Sequence, residues 1–373
     1  MSQTSAMLHL VLSSIRPLAR AVLVTLLVLA CSIVSGTPAR AGDLEWVRWT
    51  GADRYLTSAT IAVNAFSPPV PAAYVASGGD FPDALAAGPA AAQGDGGPVL
   101  LDEPLQPGHR DGVSSEVSST LSFLQPQRIV VVGGPAVISD AVVSVLAQRF
   151  DVPVQRAGGS DRYATSVAVA DGAFPSTTDR VFIASGVTFA DALAAGPAAG
   201  DAQAPLLLTL PDDVPDVVMA KLQALDPDEI VIVGGPAAVG AAAEAELRTV
   251  ASNVLRRAGA TRYETAVEVS NHLFGKIDGA FPTTTGAVYL ATGENWPDGL
   301  SASAPGGLAH STRFSRHAGP VLLVRPGCIP PATSAELARL AASFSPESSL
   351  PVRVLGGTAA VSDAVLVDHV VCG

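Results

Sequence analysis

Lysine is almost missing from this chain: Lys221 and Lys276 are the only two among 373 residues. The remaining basic residues are arginines, and acids outnumber them, 34 Asp and Glu against 22 Lys and Arg, for a net charge of −12. A chain this acidic lacks the basic face that phosphate neutralisation needs, which argues against nucleic acid as a partner. Cysteine is scarce, with three residues, and no C-x-x-C or H-E-x-x-H spacing advertises zinc. Long apolar runs are confined to the start. There Arg16 and Arg20 precede an apolar run from Ala21 to Val34, and Ala39-Arg40-Ala41 follows. That order reads as a secretory signal peptide over 1–41, with a run short for a membrane span. The "VLAC" ending at Cys31 loosely matches a lipoprotein box. Leu29 sits poorly before the Ala-Cys pair, so cleavage after Ala41 is the expectation and lipid attachment at Cys31 the alternative. Cleavage removes three arginines and no acid, taking the charge from −12 to −15. The chain is expected to be exported and extracellular, with no transmembrane span after maturation. Its richness in Ala, Gly, Pro and Arg fits a high-GC bacterial genome.

What is abundant is repetition. "SGGDFPDALAAGPAA" at Ser77–Ala91 returns as "SGVTFADALAAGPAA" at Ser185–Ala199 and, worn, as "TGENWPDGLSASAPG" at Thr292–Gly306. Before each stands an arginine block: "RWTGADRY" from Arg48, "RAGGSDRY" from Arg156, "RRAGATRY" from Arg256. After each come "GPVLLD", "APLLLT" and "GPVLLV", then "RIVVVGGPAVISD", "EIVIVGGPAAVG" and "PVRVLGGTAAVSD". A period near ~105 residues is domain-sized rather than solenoid-sized. Helix-spaced segments alternate with continuous apolar runs that suit strands buried on both faces, which gives βαβ units. The fold class is therefore α/β: three tandem Rossmann-like or flavodoxin-like modules with parallel sheets, at 42–151, 152–252 and 253–373. The third copy inserts "AHSTRFSRHAG", read most simply as a surface loop.

Several recurring residues invite two readings. Asp80, Thr188 and Asn295 each stand three before an aspartate (Asp83, Asp191, Asp298), the spacing of a capping box at a helix start. The alternative for those aspartates is ligand contact, because strand ends carry the sites of open α/β folds. Arg48 with Arg54, Arg156 with Arg162, and Arg256 with Arg262 recur in an acidic chain. They make internal Arg–Asp pairs, such as Arg54 with Asp83, or planar forks aimed at phosphate or carboxylate. Tyr55, Tyr163 and Tyr263 stack on a sugar face or belong to the core. The paired glycines of "VVGGPA" and "IVGGPA" suit tight turns, with Ser139 and Ser362 as N-caps, since no phosphate-loop pattern accompanies them. Catalysis finds little support: Ser77 and Ser185 become Thr292, no G-x-S-x-G elbow occurs, and no two of the six histidines occupy equivalent positions. No cofactor and no metal is expected. Cys328 and Cys372, left after maturation, form one disulfide or stay as buried thiols.

Taken together the blocks resemble the cell-wall-binding repeat 2 family, whose pattern runs R-x-x-G-x-[DS]-R-[YF]-x-T, [SG]-x-x-[FW]-[PA]-D-A-L, P-[IV]-L-L, then a Gly-Gly block. All three copies carry these elements across essentially the whole mature chain. The resemblance implies three Rossmann-like modules packed with pseudo-threefold symmetry. It also implies non-catalytic, multivalent anchoring of a Gram-positive surface protein to an anionic wall polymer, teichoic-acid-like or another secondary polysaccharide. The polymer-binding candidates are the six arginines, three tyrosines and three aspartates above. Divalent cations bridging protein and polymer are the alternative to direct arginine contact, because −15 repels a polyanion. Rival roles are an amidase-like wall hydrolase and a platform for another surface protein. With about 111 residues per module no effector domain fits, so a bare anchor is expected. The third copy departs most (Thr261 for Asp, Gly299 and Ser301 for Ala) and is the one expected to bind least.

Overall fold

The apolar runs become strands because a short run of Val, Ile and Leu buried on both faces has nowhere to lie except inside a parallel sheet. The structure, a computed structural model, describes residues 43–103, 113–274, 285–344 and 348–373. The segment 1–41, expected to be a signal peptide, with Cys31, and also His9, His109 and Lys276, lie outside the described residues. In the first copy β1 (Asp43–Trp49), α1 (Arg54–Ala65), β2 (Ala73–Ser77) and α2 (Pro82–Ala91) are followed by β3 (Val99–Asp102), α3 (Ser115–Leu124), β4 (Ile129–Val132) and α4 (Asp140–Phe150). The second copy gives β5 (Val154–Ala157), α5 (Arg162–Ala173), β6 (Arg180–Ser185), α6 (Ala190–Asp201), β7 (Leu206–Thr209), α7 (Asp216–Leu225), β8 (Glu229–Val233) and α8 (Ala241–Leu247). The third gives β9 (Asn253–Arg257), α9 (Arg262–Leu273), β10 (Val288–Thr292), α10 (Pro297–Leu300) and α11 (Ser303–Gly306). After these come β11 (Val321–Val324), α12 (Pro331–Ala341), β12 (Ser349–Leu355) and α13 (Asp363–Leu366).

These strands make three parallel four-stranded sheets, ordered β3-β2-β4-β5, β7-β6-β8-β9 and β11-β10-β12-β1. The sheets are offset from the sequence repeat by one strand. Each takes its fourth strand, the one bearing the first arginine of a block, from the following copy. The third copy has no successor, so the N-terminal strand β1 returns to pair with β12 from Asp43 opposite Ser349 to Trp49 opposite Leu355. The chain thus closes on itself as a ring of three.

At the centre the Ala- and Gly-rich helices α2, α6 and α11 pack on one another. Gly88, Gly196 and Ser303 are equivalent positions of the three copies and meet there. A methyl group on Gly88 would lie 2.3 Å from Ser303 Cβ, and one on Gly196 2.4 Å from Ser303 Oγ. The axis has room for one side chain, and the third copy supplies it. In that copy the helix is broken into the short turns α10 and α11, in keeping with the weak helix propensity of Gly299 and Ser301.

The insertion of the third copy is not a plain surface loop. Ser311, Phe314 and His317 are buried, and the segment clasps the first copy. The Ser311 and Thr312 hydroxyls donate to Asp95 (3.2 and 3.0 Å), and Arg313 donates to the Pro69 carbonyl at 2.7 Å. Phe314 packs edge-on against Phe66, with ring centroids 5.3 Å apart. The Thr312 hydroxyl in particular holds the Asp95 carboxyl below its usual range. Its polar letters look solvent-bound in sequence because their partners lie more than two hundred residues away. Cys328 and Cys372 are joined across a separation of 44 residues. By loop entropy that crosslink stabilises the C-terminal segment by about 4 kcal/mol.

Candidate functional site

The two arginines of each block go to different places. The first, on the borrowed strand, is internal. Arg48, Arg156 and Arg256 donate through Nη1 to the carbonyls of Gly356, Gly133 and Gly234 at 2.8, 2.7 and 2.7 Å. Their Nη2 atoms pair with Asp363, Asp140 and Glu244 on the following helices at 3.1, 2.9 and 2.6 Å. These arginines staple the borrowed strand to its host sheet.

The second arginine opens a helix. Asp53, Asp161 and Thr261 are the N-caps of α1, α5 and α9, and the Thr261 side chain completes a capping box with Glu264. The departure Thr261 is therefore a fully formed cap. Arg54, Arg162 and Arg262 follow at the first helical position, where the helix dipole is positive and an acid would be the stabilising choice. Each donates to its own copy's Gly carbonyl: Gly78 at 2.8 Å, Gly186 at 2.6 Å, and Gly293. Each guanidinium also lies over an aromatic ring of the preceding copy. Arg54 sits 4.9 Å from Trp296, Arg162 5.7 Å from Phe81, and Arg262 5.8 Å from Phe189. Phe81 in turn packs 6.0 Å from Phe189 and 6.3 Å from Trp296. Sequence reasoning passed over these three aromatics, although their recurrence before each aspartate was visible.

The aspartates do not cap their own helices. The N-caps of α2, α6 and α10 are Phe81, Phe189 and Trp296, with no side-chain cap bond. Asp83, Asp191 and Asp298 instead accept from the Thr165, Thr265 and Thr57 hydroxyls of the following copy. Arg54 accordingly lies near Asp298 and not Asp83; the charge proximity expected within one copy occurs between copies. Burial pushes all three carboxyls above the usual aspartate range, against the pull of the threonine and arginine. Each rests on the first glycine of a Gly-Gly pair, Gly133, Gly234 or Gly356. Those glycines have φ of 108°, 114° and 87° and no space for a Cβ beneath the carboxylate.

The strand-end hydroxyls are spent on turns. Ser77 accepts from the Gly79 amide, Ser185 from Val187 and Thr188, and Thr292 from Glu294. Ser139 caps α4 through its side chain, whereas Ser362 precedes α13 without a cap bond. The tyrosines pack half-buried against Gly78, Gly186 and Gly293. Between the carboxyl ends of β2 and β4, where strand order reverses, a cleft of about 460 Å3 opens, lined by Ser77, Asp80, Asp83, Gly134, Asp161 and Arg162. That is where an open α/β sheet places a ligand. Its walls come from two successive copies, so neither copy forms it alone. Among the described residues no three His, Cys, Asp or Glu side chains cluster as metal ligands.

The model of cell wall binding domain 2 matches this sequence three times, over residues 48–143, 156–244 and 256–366. The chain belongs to that family. The family's cell-wall-binding role is the chain's own at this coarse level, and three domains stand in tandem. It is similar to the N-acetylmuramoyl-L-alanine amidase LytC of Bacillus subtilis, 26% identical over 267 residues, which is 71% of this chain and 49% of that protein. An amidase enhancer of the same organism is 29% identical over 231 residues, 62% of this chain and 30% of that protein. The chain spans half or less of the length of these relatives. Two solved structures share the fold. Cwp6 from Clostridium difficile superposes with a TM-score of 0.71 at 22% identity, covering 88% of this chain and 48% of that one. Cwp8 from the same organism gives 0.69 at 21%, covering 87% and 51%. Among the described residues no helix is long and apolar enough to cross a membrane.

Proposed function

We propose that this chain is an exported, non-catalytic anchor that holds to the cell wall by binding an anionic secondary polymer, teichoic-acid-like or another polysaccharide, at the junctions between its copies. One observation carries the reading. Arg54, Arg162 and Arg262 stand at helix N-termini, where stability alone would favour acids. Each guanidinium spends one nitrogen on a Gly carbonyl and a face on an aromatic ring of the preceding copy, yet none is fully buried, so donors remain for an anion. Guanidinium forks suit phosphate and carboxylate, and local positive charge acts within a Debye length of about 8 Å even when net charge is negative. Weak sites repeated three times give firm attachment by multivalency. The hydrolase reading is weaker because the strand-end hydroxyls are committed to turns, and the platform reading because the inserted loop is tied to the first copy through Asp95, Pro69 and Phe66.

Replacing Arg54, Arg162 and Arg262 by Ala together is expected to lower affinity for purified Gram-positive walls at least ~100-fold, since each removes a charge-assisted contact. Co-sedimentation measures it. Unchanged binding that chelator abolishes would transfer the role to bridging divalent cations and sink the arginine version.

A further inference from the structure

The three junctions carry equivalent residues but not equivalent charge. At the first copy's arginine block, the strand-end positions beside Tyr55 are Asp102 and Glu103, both close enough to push the phenol up, though burial is the larger cause. The corresponding pair in the second copy is Thr209 and Leu210, and in the third Val324 and Arg325. The second arginines differ likewise. Arg162 is held by Asp80 at 3.4 Å. Arg54 has the N-cap carboxylate of Asp53 behind it, with Asp298 below as Asp191 is below Arg262. Thr188 occupies in the second copy the position of Asp80 in the first, and Arg262 has Thr261 where the others have an aspartate cap.

The result is local. Arg262 and Arg325 are both exposed, and among the described residues neither is in an ion pair. Arg325 lies over the Tyr263 ring at 5.8 Å. Tyr263 and Arg262 share one patch against Gly293, where a methyl group would be 2.7 Å from Tyr263 Cε1 and 3.1 Å from Arg262 Cδ. The nearby acids are Asp191, Glu264 and Glu294. Asp191 is turned to the Thr265 hydroxyl and Glu264 to the Thr261 amide, which leaves Glu294 on the exposed turn.

We propose that the third copy, the most divergent in sequence, is the principal anion site: Arg262 and Arg325 take a phosphate or carboxylate group of the wall polymer beside the Tyr263 ring. Two exposed guanidiniums on one patch answer the objection raised by net charge, because the field a ligand meets at short range is set by the nearest groups. The first copy has Asp102 and Glu103 at the equivalent positions and so offers the same group no second cation. The third junction is therefore the specificity-determining one. The inference rests on the wall-binding reading, and its test separates the two.

Arg325→Glu installs the first copy's acid, and Thr188→Asp gives Arg262 the carboxylate that Arg162 already has. Both changes are on exposed side chains. Each is expected to weaken wall co-sedimentation at least tenfold, while Arg149→Gln, an exposed arginine elsewhere, binds as wild type. Titration of the purified chain with glucose 1-phosphate and with glucuronate, followed by NMR, separates a phosphate source from a carboxylate source. Whichever binds, Arg325→Glu should abolish it. If wild type ignores walls yet a probe binds and Arg325→Glu removes it, the site stands and the wall reading fails. Wall binding unchanged in both variants, or lowered equally by Arg149→Gln, overturns the site and leaves wall binding intact.

Discussion

Gly88→Ala is expected to destabilise the folded chain by about 3 kcal/mol, although a Gly to Ala change inside a helix ordinarily gains about 1 kcal/mol. The added methyl would lie 2.3 Å from Ser303 Cβ, at the axis where the three central helices meet. Neither backbone can retreat, because the ends of α2 and α11 approach closely again one turn further along: a methyl on Gly307 would be 3.0 Å from the Ala92 Cβ. Gly172, in α5, is the contrasting case. It is exposed and a methyl there meets nothing within 4 Å, so Gly172→Ala should stabilise slightly. Ser303→Gly should restore stability to the Gly88→Ala chain, since the axis admits one side chain and the double variant again has one. Denaturant melts of the four proteins measure the cycle. Additive effects of Gly88→Ala and Ser303→Gly would contradict the shared-space account.

Asp201→Asn is expected to stabilise the protein above pH 7 and to change little near pH 4. Asp201 ends α6 where the other copies have Gln93 and Leu308; it is 2% exposed and its Oδ1 has no partner among the described residues. Burial pushes its carboxyl up to about 7, with Arg180 opposing. Because the folded group holds its proton more tightly than the unfolded one, stability is fullest below pH 4. It falls as pH rises to 7, then levels off. The ionised form costs on the order of 4 kcal/mol at pH 8, and Asn removes that cost. Urea midpoints at pH 4.5 and 8 test this; a difference between variant and wild type that does not grow with pH would contradict it.

The strands were legible because runs such as "VLL" and "IVIV" admit few environments, and the repeat made three sheets unavoidable. The partner of each residue was not legible. Asp83 was read as a cap within its copy, but it bonds Thr165 of the next, because β5 belongs to the sheet of the copy before it. For the same reason the Arg54–Asp83 pair, one of the two readings of that arginine, is replaced by the nearness of Arg54 to Asp298. A motif fixes which residues recur; only ring closure by β1 fixes which copy faces which. Ser303, aligned with Gly88 and Gly196, carried the axis constraint in plain view, but its meaning depends on three helices touching. Arg325 has no counterpart in the other copies and so drew no notice. Counting departures from the pattern makes the third copy the weakest binder, whereas weighing their charge underlies the proposal that it is the principal site.

The central claim is attachment through a polymer, and the most direct test is co-sedimentation of the purified chain with isolated Gram-positive walls before and after acid removal of secondary polymers. The account predicts binding to intact walls that disappears on stripping. Equal binding to stripped walls would place the ligand in peptidoglycan and contradict it.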